Sequence, residues 1–254
     1  TLDLGPFSLT FIPMTHSTPE TQGLIIQTPV SGKVFHTADW KLDADPVVGA
    51  HVTPQQYQTM TGIDAVVCDS TNALNPMSAD SEIDVASALL TAVSDASRRV
   101  IVACFASNIA RLQTLGSIAR QTNRHIGLLG FSLNNMRRCA QDAGYLQTDF
   151  NPVDRQHLGY LPPEEVLAIA TGSQGEPGAA LHRLSTDSHP DVNLQAGDQV
   201  IFSAKTIPGN EQGVEQLINR FERMGVTVFQ ADTSNLTLHA SGHGGEPELT
   251  NMYE

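Results

Sequence analysis

His16 lies in Pro13-Met14-Thr15-His16-Ser17-Thr18-Pro19 and Asp39 in Phe35-His36-Thr37-Ala38-Asp39-Trp40, each just after a run that reads as a strand. One imidazole and one carboxylate at strand ends suit a divalent metal such as zinc or manganese. An aspartate can also bridge two ions, because its two oxygens can face different metals. A loop histidine and a turn-capping aspartate would look the same, and spacing alone leaves the choice open. His239-Ala240-Ser241-Gly242-His243-Gly244-Gly245 sets two imidazoles and a hydroxyl among glycines. If extended, it turns His239, Ser241 and His243 to one side, a cradle for an oxyanion or phosphate; the alternative is a solvated turn. Ser107 and Asn108 stand between a strand and a helix start, where free backbone N–H groups attract anions and where an ordinary N-cap also sits. Thr171-Gly172-Ser173-Gln174-Gly175-Glu176-Pro177 lacks the lysine of a Walker loop and does not match GxGxxG, which argues against a nucleotide cofactor. No GxSxG elbow is present, so a serine hydrolase is excluded.

The elements that must position these residues fall into two textures. Phe7, Leu9 and Phe11 alternate with Ser8 and Thr10, the period of a half-buried strand. Residues 23–28 and 33–37 flank Pro29-Val30-Ser31-Gly32 as a hairpin, and 63–68 form a further strand that ends on Asp69-Ser70-Thr71-Asn72. After about residue 82, four units repeat strand, short loop, helix. Their strands lie at 100–105, 126–130, 166–170 and 199–203, and their helices run from 109 to about 121, to about 143, to 184 and to 224. In the last helix Val214, Leu217, Ile218 and Phe221 form one apolar face. Such alternation predicts right-handed crossovers and a parallel, Rossmann-like sheet with ligand chemistry at the loops after its strands. A final strand at 226–229 precedes the His239 segment, and a helix begins at Pro247.

With 254 residues, 40% hydrophobic and 16% charged, the chain can bury real cores. Cys68, Cys104 and Cys139 are widely spaced beside apolar runs and read as buried free thiols in a reducing compartment. No run approaches the roughly 18 to 20 apolar residues of a membrane helix. Thr1 to Phe11 has neither a basic n-region nor an initiator methionine and reads as mid-chain sequence. The net charge of −13 argues against a broad basic surface for nucleic acid. Bound cations, however, supply positive charge of their own. The remaining histidines, His36, His51, His125, His157, His182 and His189, show no partners in sequence.

Read in order, Thr15-His16-Ser17, His36-Thr37-Ala38-Asp39, Asp69-Ser70-Thr71-Asn72, Phe105-Ala106-Ser107-Asn108, Thr171 to Pro177, Ile207-Pro208-Gly209-Asn210 and His239 to Gly245 resemble the ribonuclease J family. That family belongs to the metallo-β-lactamase superfamily and carries an inserted β-CASP domain. The resemblance implies an α/β fold with part of a metallo-β-lactamase αββα sandwich at 1–81, a Rossmann-like β-CASP domain with a parallel sheet at 82–236, and a return segment at 237–254. It implies His16 and Asp39 as metal ligands, with Asp39 shared by two divalent ions, zinc first and manganese or magnesium as alternatives. Asp39, Asp69 and His243 would be catalytic, and Ser107, Asn108, His239 and Ser241 would hold the 5′-monophosphate of single-stranded RNA. The implied activity is 5′ to 3′ exonucleolytic, with endonucleolytic cutting also possible, in a cytoplasmic protein whose longer parent is a homo-oligomer with no membrane partner. The HxHxDH motif of the family would lie before residue 1, so the chain resembles a central piece, and its first segment would expose apolar strand faces. Two departures stand out: Ala38 replaces a glycine, a change expected to cost little, and Gly130-Phe131-Ser132-Leu133 replaces a string carrying an arginine. The rival readings are a non-catalytic RNA-binding or assembly subunit and another hydrolase of the same fold.

Overall fold

In a computed structural model the described residues are all but 31, 44–45, 50–51, 53–56, 58–59, 148, 232 and 254. They divide into two compact units, Thr1–Ser81 with Ser241–Glu254, and Glu82–Ala240. Residues 237–240, expected with the return segment, group with the second unit.

The first unit is a five-stranded sheet in the order β1 to β5: Leu2–Leu4, Phe7–Pro13, Gln22–Gln27, Lys33–His36 and Ile63–Val67. β1 through β4 pair antiparallel in succession, and β5 joins β4 in parallel. Strands β2, β4 and β5 therefore run the same way, and the loops after them, which carry His16, Asp39 and Asp69, leave the sheet at one edge. The expected hairpin is β3–β4; Ser31 of its turn and His51 lie outside the described residues. One cluster packs Met14, Phe35, Trp40 and Leu249, the last from the closing helix α7, Glu246–Tyr253. Leu2, Leu4, Phe7, Phe11, Val66 and Val67 are exposed, so the alternation at Phe7 and Phe11 makes a strand without burying those side chains within this unit.

The second unit begins with α1, Glu82–Ser94, a helix the periodicity does not announce. Its residues are mostly apolar or small, so no polar face marks its period. β6 (Val100–Ala103), α2 (Ile109–Gln121), β7 (His125–Leu129) and α3 (Phe131–Asp142) follow. α3 starts at Phe131, where a loop was expected. Next come the short α4 (Arg155–Leu158), β8 (Val166–Ala170), α5 (Ala180–Ser185), β9 (Gln199–Phe202), α6 (Glu211–Arg223) and β10 (Thr227–Gln230). The sheet is parallel throughout, in the order β10-β9-β6-β8-β7. Strands β6 and β8 are buried along their whole length, as a sheet covered on both faces demands. Leu217 and Phe221 of α6 are buried in its core; each such side chain contributes about 1.5–3 kcal/mol.

Cys104 is buried, and that burial pushes its thiol up to about 12, so it is inert at neutral pH. Cys139 does not follow the expectation of burial: it is exposed, because α3 turns Leu133 and Ala140 inward instead. No helix of the described residues is long and apolar enough to cross a membrane.

Arg111 on α2 is fully buried. Its guanidinium donates to both oxygens of Glu82 (3.1 and 3.2 Å), to the Ser203 hydroxyl and carbonyl, and to the Leu238 carbonyl (3.3 Å). Asn108 completes the network: its Oδ1 accepts from Arg111 N (2.9 Å), and its Nδ2 donates to Glu82 (3.1 Å). Removing one member of such a pair strands a charge in the interior. Arg111→Ala should therefore cost about 3–5 kcal/mol of second-unit stability in urea denaturation, and Arg111→Met with Glu82→Leu should recover most of it. A loss within 1 kcal/mol for the single variant would contradict the network.

Candidate metal centre

Three loops of the first unit are sewn together before any metal is considered. Thr37 is fully buried; its hydroxyl accepts from Asp69 N (3.0 Å) and donates to the Ala38 carbonyl (2.7 Å). This one side chain fixes the Asp39 loop against the Asp69 loop. Lys41 N donates to Thr15 O (2.9 Å), tying in the His16 loop, and Gly244 N donates to Trp40 O (2.9 Å), tying in the return segment. Asn72 donates to Ser241 Oγ (2.7 Å) and to the His243 carbonyl (3.1 Å). Glu248, buried in the first turn of α7, accepts from Leu42 N, Ala79 N and Gly245 N at 2.7–3.0 Å.

The result is a cluster in which ligand atoms of Asp39, Asp69 and His243 all lie within 4.8 Å of one another. Asp69 Oδ2 meets His243 Nδ1 at 2.7 Å. A carboxylate only accepts, so that nitrogen carries a proton, which leaves Nε2 as the ring nitrogen a metal could take. The same reasoning applies to His16, whose Nδ1 lies 2.6 Å from the Gly242 carbonyl and must donate to it. The two imidazoles meet edge to face with centroids 5.3 Å apart. Burial lowers the His16 pKa, the Gly242 carbonyl opposes that, His243 lowers it further, and Asp39 and Asp69 pull it back up. The net lowering keeps the ring neutral, as a ligand must be. Burial alone would raise Asp69, but hydrogen bonds from Thr71 and His243 outweigh it and hold the carboxyl below its usual value. Asp69 is thus ionised and oriented. Asp39, Asp69 and His243, with His16 close by, are a mixed oxygen and nitrogen set that fits zinc or manganese.

The glycines of the return segment have a steric reason. A Cβ on Gly242 would overlap the His16 ring, and one on Gly245 would overlap the Met77 carbonyl. Ala38, by contrast, occupies the left-handed region at φ 54°. That explains the family's glycine, and the alanine costs more than expected from its size, about 1–2 kcal/mol.

The remaining sequence-predicted residues separate. Asn108 serves as the N-cap of α2; its carboxamide is committed to Arg111 and Glu82 and its N–H to Phe105 O. That carboxamide, expected to hold phosphate, is engaged inside the second unit. Ser107 is exposed, and His239 is half-buried. The Ser241 hydroxyl accepts from Asn72 and from His243 N and donates to the His243 carbonyl, shaping the turn that presents His243. The Thr171 to Pro177 loop is a clasp: Gln174 donates to Lys205 O (3.0 Å) and accepts from Ile207 N (2.8 Å). Sequence reasoning missed Thr37, Asn72, Gln174 and Glu248 as positioning residues. Only Glu248 had a local signal, a carboxylate in a helix's first turn.

Residues 97–221 match the sequence model of the ribonuclease J β-CASP domain. Ribonuclease J of Sinorhizobium meliloti is 36% identical over 255 residues, covering 100% of this chain and 45% of that protein. Ribonuclease J of Corynebacterium glutamicum is 38% identical, covering 99% and 35%, and ribonuclease J 1 of Streptococcus pyogenes is 40% identical, covering 95% and 43%. A solved structure of a protein of unknown function from Enterococcus faecalis shares the fold, with a TM-score of 0.62 at 14% identity over 99% of this chain and 56% of that one. Fold and match together define a mixed α/β protein with a β-CASP domain, consistent with the metallo-β-lactamase/β-CASP class. The chain belongs to the ribonuclease J family. It spans less than half the length of these curated relatives.

Two measurements test the site. Ala38→Gly should raise first-unit stability by about 1 kcal/mol in urea denaturation, and no gain would contradict the strain. Asp69→Asn should weaken zinc binding to the chain by about 10–100-fold in calorimetric titration, because His243 loses the partner that fixes its tautomer.

Proposed function

We propose that this chain supplies part of the catalytic centre of a metal-dependent ribonuclease that hydrolyses RNA phosphodiester bonds. The observation that carries the reading is the convergence of Asp39, Asp69 and His243, with His16 beside them, from separate loops, Asp69 and His243 meeting across 174 residues of sequence. Asp39 and His16 would hold divalent ions, zinc first and manganese or magnesium as alternatives. Bound there, such ions would supply Lewis-acid polarisation of the phosphodiester and acidify water. Asp69 holds the His243 ring through Nδ1, which leaves Nε2 as the nitrogen that would ligate an ion. His16, kept neutral by burial and oriented by Gly242, presents its own Nε2 in the same way.

The substrate proposed is single-stranded RNA with a 5′-monophosphate, recognised through Ser107 and His239, and degraded 5′ to 3′ with endonucleolytic cutting as a second mode. Charge-assisted hydrogen bonds to the terminal phosphate would favour monophosphate over triphosphate ends. The longer protein containing this chain would act in the cytoplasm as a homo-oligomer. A non-catalytic RNA-binding or assembly subunit that keeps the fold without its metals is the second reading.

The test assays that longer protein on 5′-monophosphorylated RNA with manganese. Mononucleotide release is expected. Asp39→Ala should abolish turnover, and substantial residual cutting would refute its role. Ser107→Ala should slow exonucleolytic more than endonucleolytic cleavage. RNA binding without cutting would move the protein to the second reading.

A further inference from the structure

Six of the 14 basic side chains in this acidic chain are committed to its architecture. Arg98 and Arg99 both meet Asp198, Arg111 meets Glu82, Arg120 meets Asp149, Lys41 meets Asp43, and Arg124 donates to three backbone carbonyls. In the second unit Arg137, Arg155 and Arg183 gather around open space. Two adjoining cavities, of about 680 and 380 Å³, share Asn134 and Arg155. The larger is lined by Phe131, Arg155, Arg183 and His189, and the smaller by Arg137 and Asp154.

Phe131, Asn134 and Arg137 fall at i, i+3 and i+6 on α3, so one face of that helix, about 9 Å long, forms the floor of both cavities. Among the described residues no group accepts from the Arg183 guanidinium. Arg155 lies 3.5 Å from Asp191, and the buried Asp191 Oδ2 has no hydrogen-bond donor. Arg137 gives one bond to Gln141 while its Nε is buried and unpartnered. Three guanidinium groups therefore face two carboxylates, a local positive excess in a chain of net charge −13. Phe131 is 82% exposed at the rim of this groove. An aromatic of that size held in water at a helix start gains nothing from folding. Beside arginines it is the pairing used for single strands: guanidinium groups on the phosphodiester backbone and a ring on which a base stacks.

We propose that this groove, Phe131 with Arg137, Arg155 and Arg183, is an RNA-binding subsite of the second unit, contacting the backbone and one base of a single strand. The proposal rests on the ribonuclease reading only for the choice of RNA; the groove's chemistry asks for a single-stranded polyanion. Phe131 provides the stacking surface, while Arg155 and Arg183, brought from α4 and α5, provide the charge.

The test is fluorescence anisotropy of the 254-residue chain with a labelled 12-nucleotide single-stranded RNA bearing a 5′-hydroxyl, over a range of salt concentrations. Each phosphate contact in a single strand contributes about 0.7 to the salt slope, so Arg155→Gln with Arg183→Gln should lower it by about 1.4. Arg155→Lys with Arg183→Lys should keep the slope, and Phe131→Ala should weaken binding about tenfold with the slope unchanged. All three positions are exposed, and circular dichroism verifies that each variant is folded. Wild-type affinity and slope in the glutamine and alanine variants would overturn the proposal, as would no binding by the parent chain. Uridine monophosphate binding as tightly as the 12-mer would also overturn it, in favour of a mononucleotide pocket. The Asp39→Ala turnover assay judges the ribonuclease reading separately, because none of these substitutions touches that cluster.

Discussion

The carboxylate of Asp69 is the interaction on which the first unit's site depends. It accepts from the Thr71 backbone and hydroxyl through one oxygen and from His243 and the Trp40 N–H through the other. A half-buried carboxylate would ordinarily rise in pKa and lose its charge; here the donors reverse that sign and keep it ionised. With Asp69 charged, His243 has a fixed tautomer and the return segment has a reason to dock. Without it, the parallel pairing of β4 and β5 would still bring two loops together, but nothing would select the ring orientation.

The second unit applies a different solution to a similar problem. Its parallel sheet places every loop that follows a strand at one end, and those loops are locked to one another by polar side chains. Gln174 joins the loop after β8 to that after β9, and a Cβ on Gly175 would collide with the backbone of Gly213 on α6. Arg111 joins the loop after β6 to that after β9 and to the exit segment at Leu238. Buried polar networks of this kind specify geometry more than they stabilise it. They leave the apolar core to supply the favourable free energy.

Much of this was legible in the sequence, and what was not has physical causes. Strand-loop-helix alternation after residue 82 reads directly, because a covered parallel strand is continuously apolar and a helix such as α6 keeps a polar face. The first helix of that unit escaped because its sequence has little polarity to give a period. The order of the strands, with β6 central, is a matter of which edges pair, and local periodicity carries no information on it. Asp39 and His16 could be singled out as strand-end residues. Their meeting with Asp69 and His243 could not be derived from spacing, since register and strand direction decide it. Ala38 shows the converse. Its size suggested a mild change, whereas its backbone angle, invisible in sequence, carries the cost.

The buried arginine of the second unit has a consequence for how the chain comes together in time. Glu82 and Leu238 stand at the entrance and exit of that unit, and Arg111 bonds to both. Once folded, the unit presents its two ends side by side, so the long span between Asp69 and His243 behaves as a short loop. Closing a loop through an unfolded span of that length carries an entropic cost that rises with the logarithm of its length, and the folded insert removes most of that term. His243 is also the last of the clustered side chains to be synthesised, so its docking on Asp69 closes a loop whose insert already carries the means to join its own two ends.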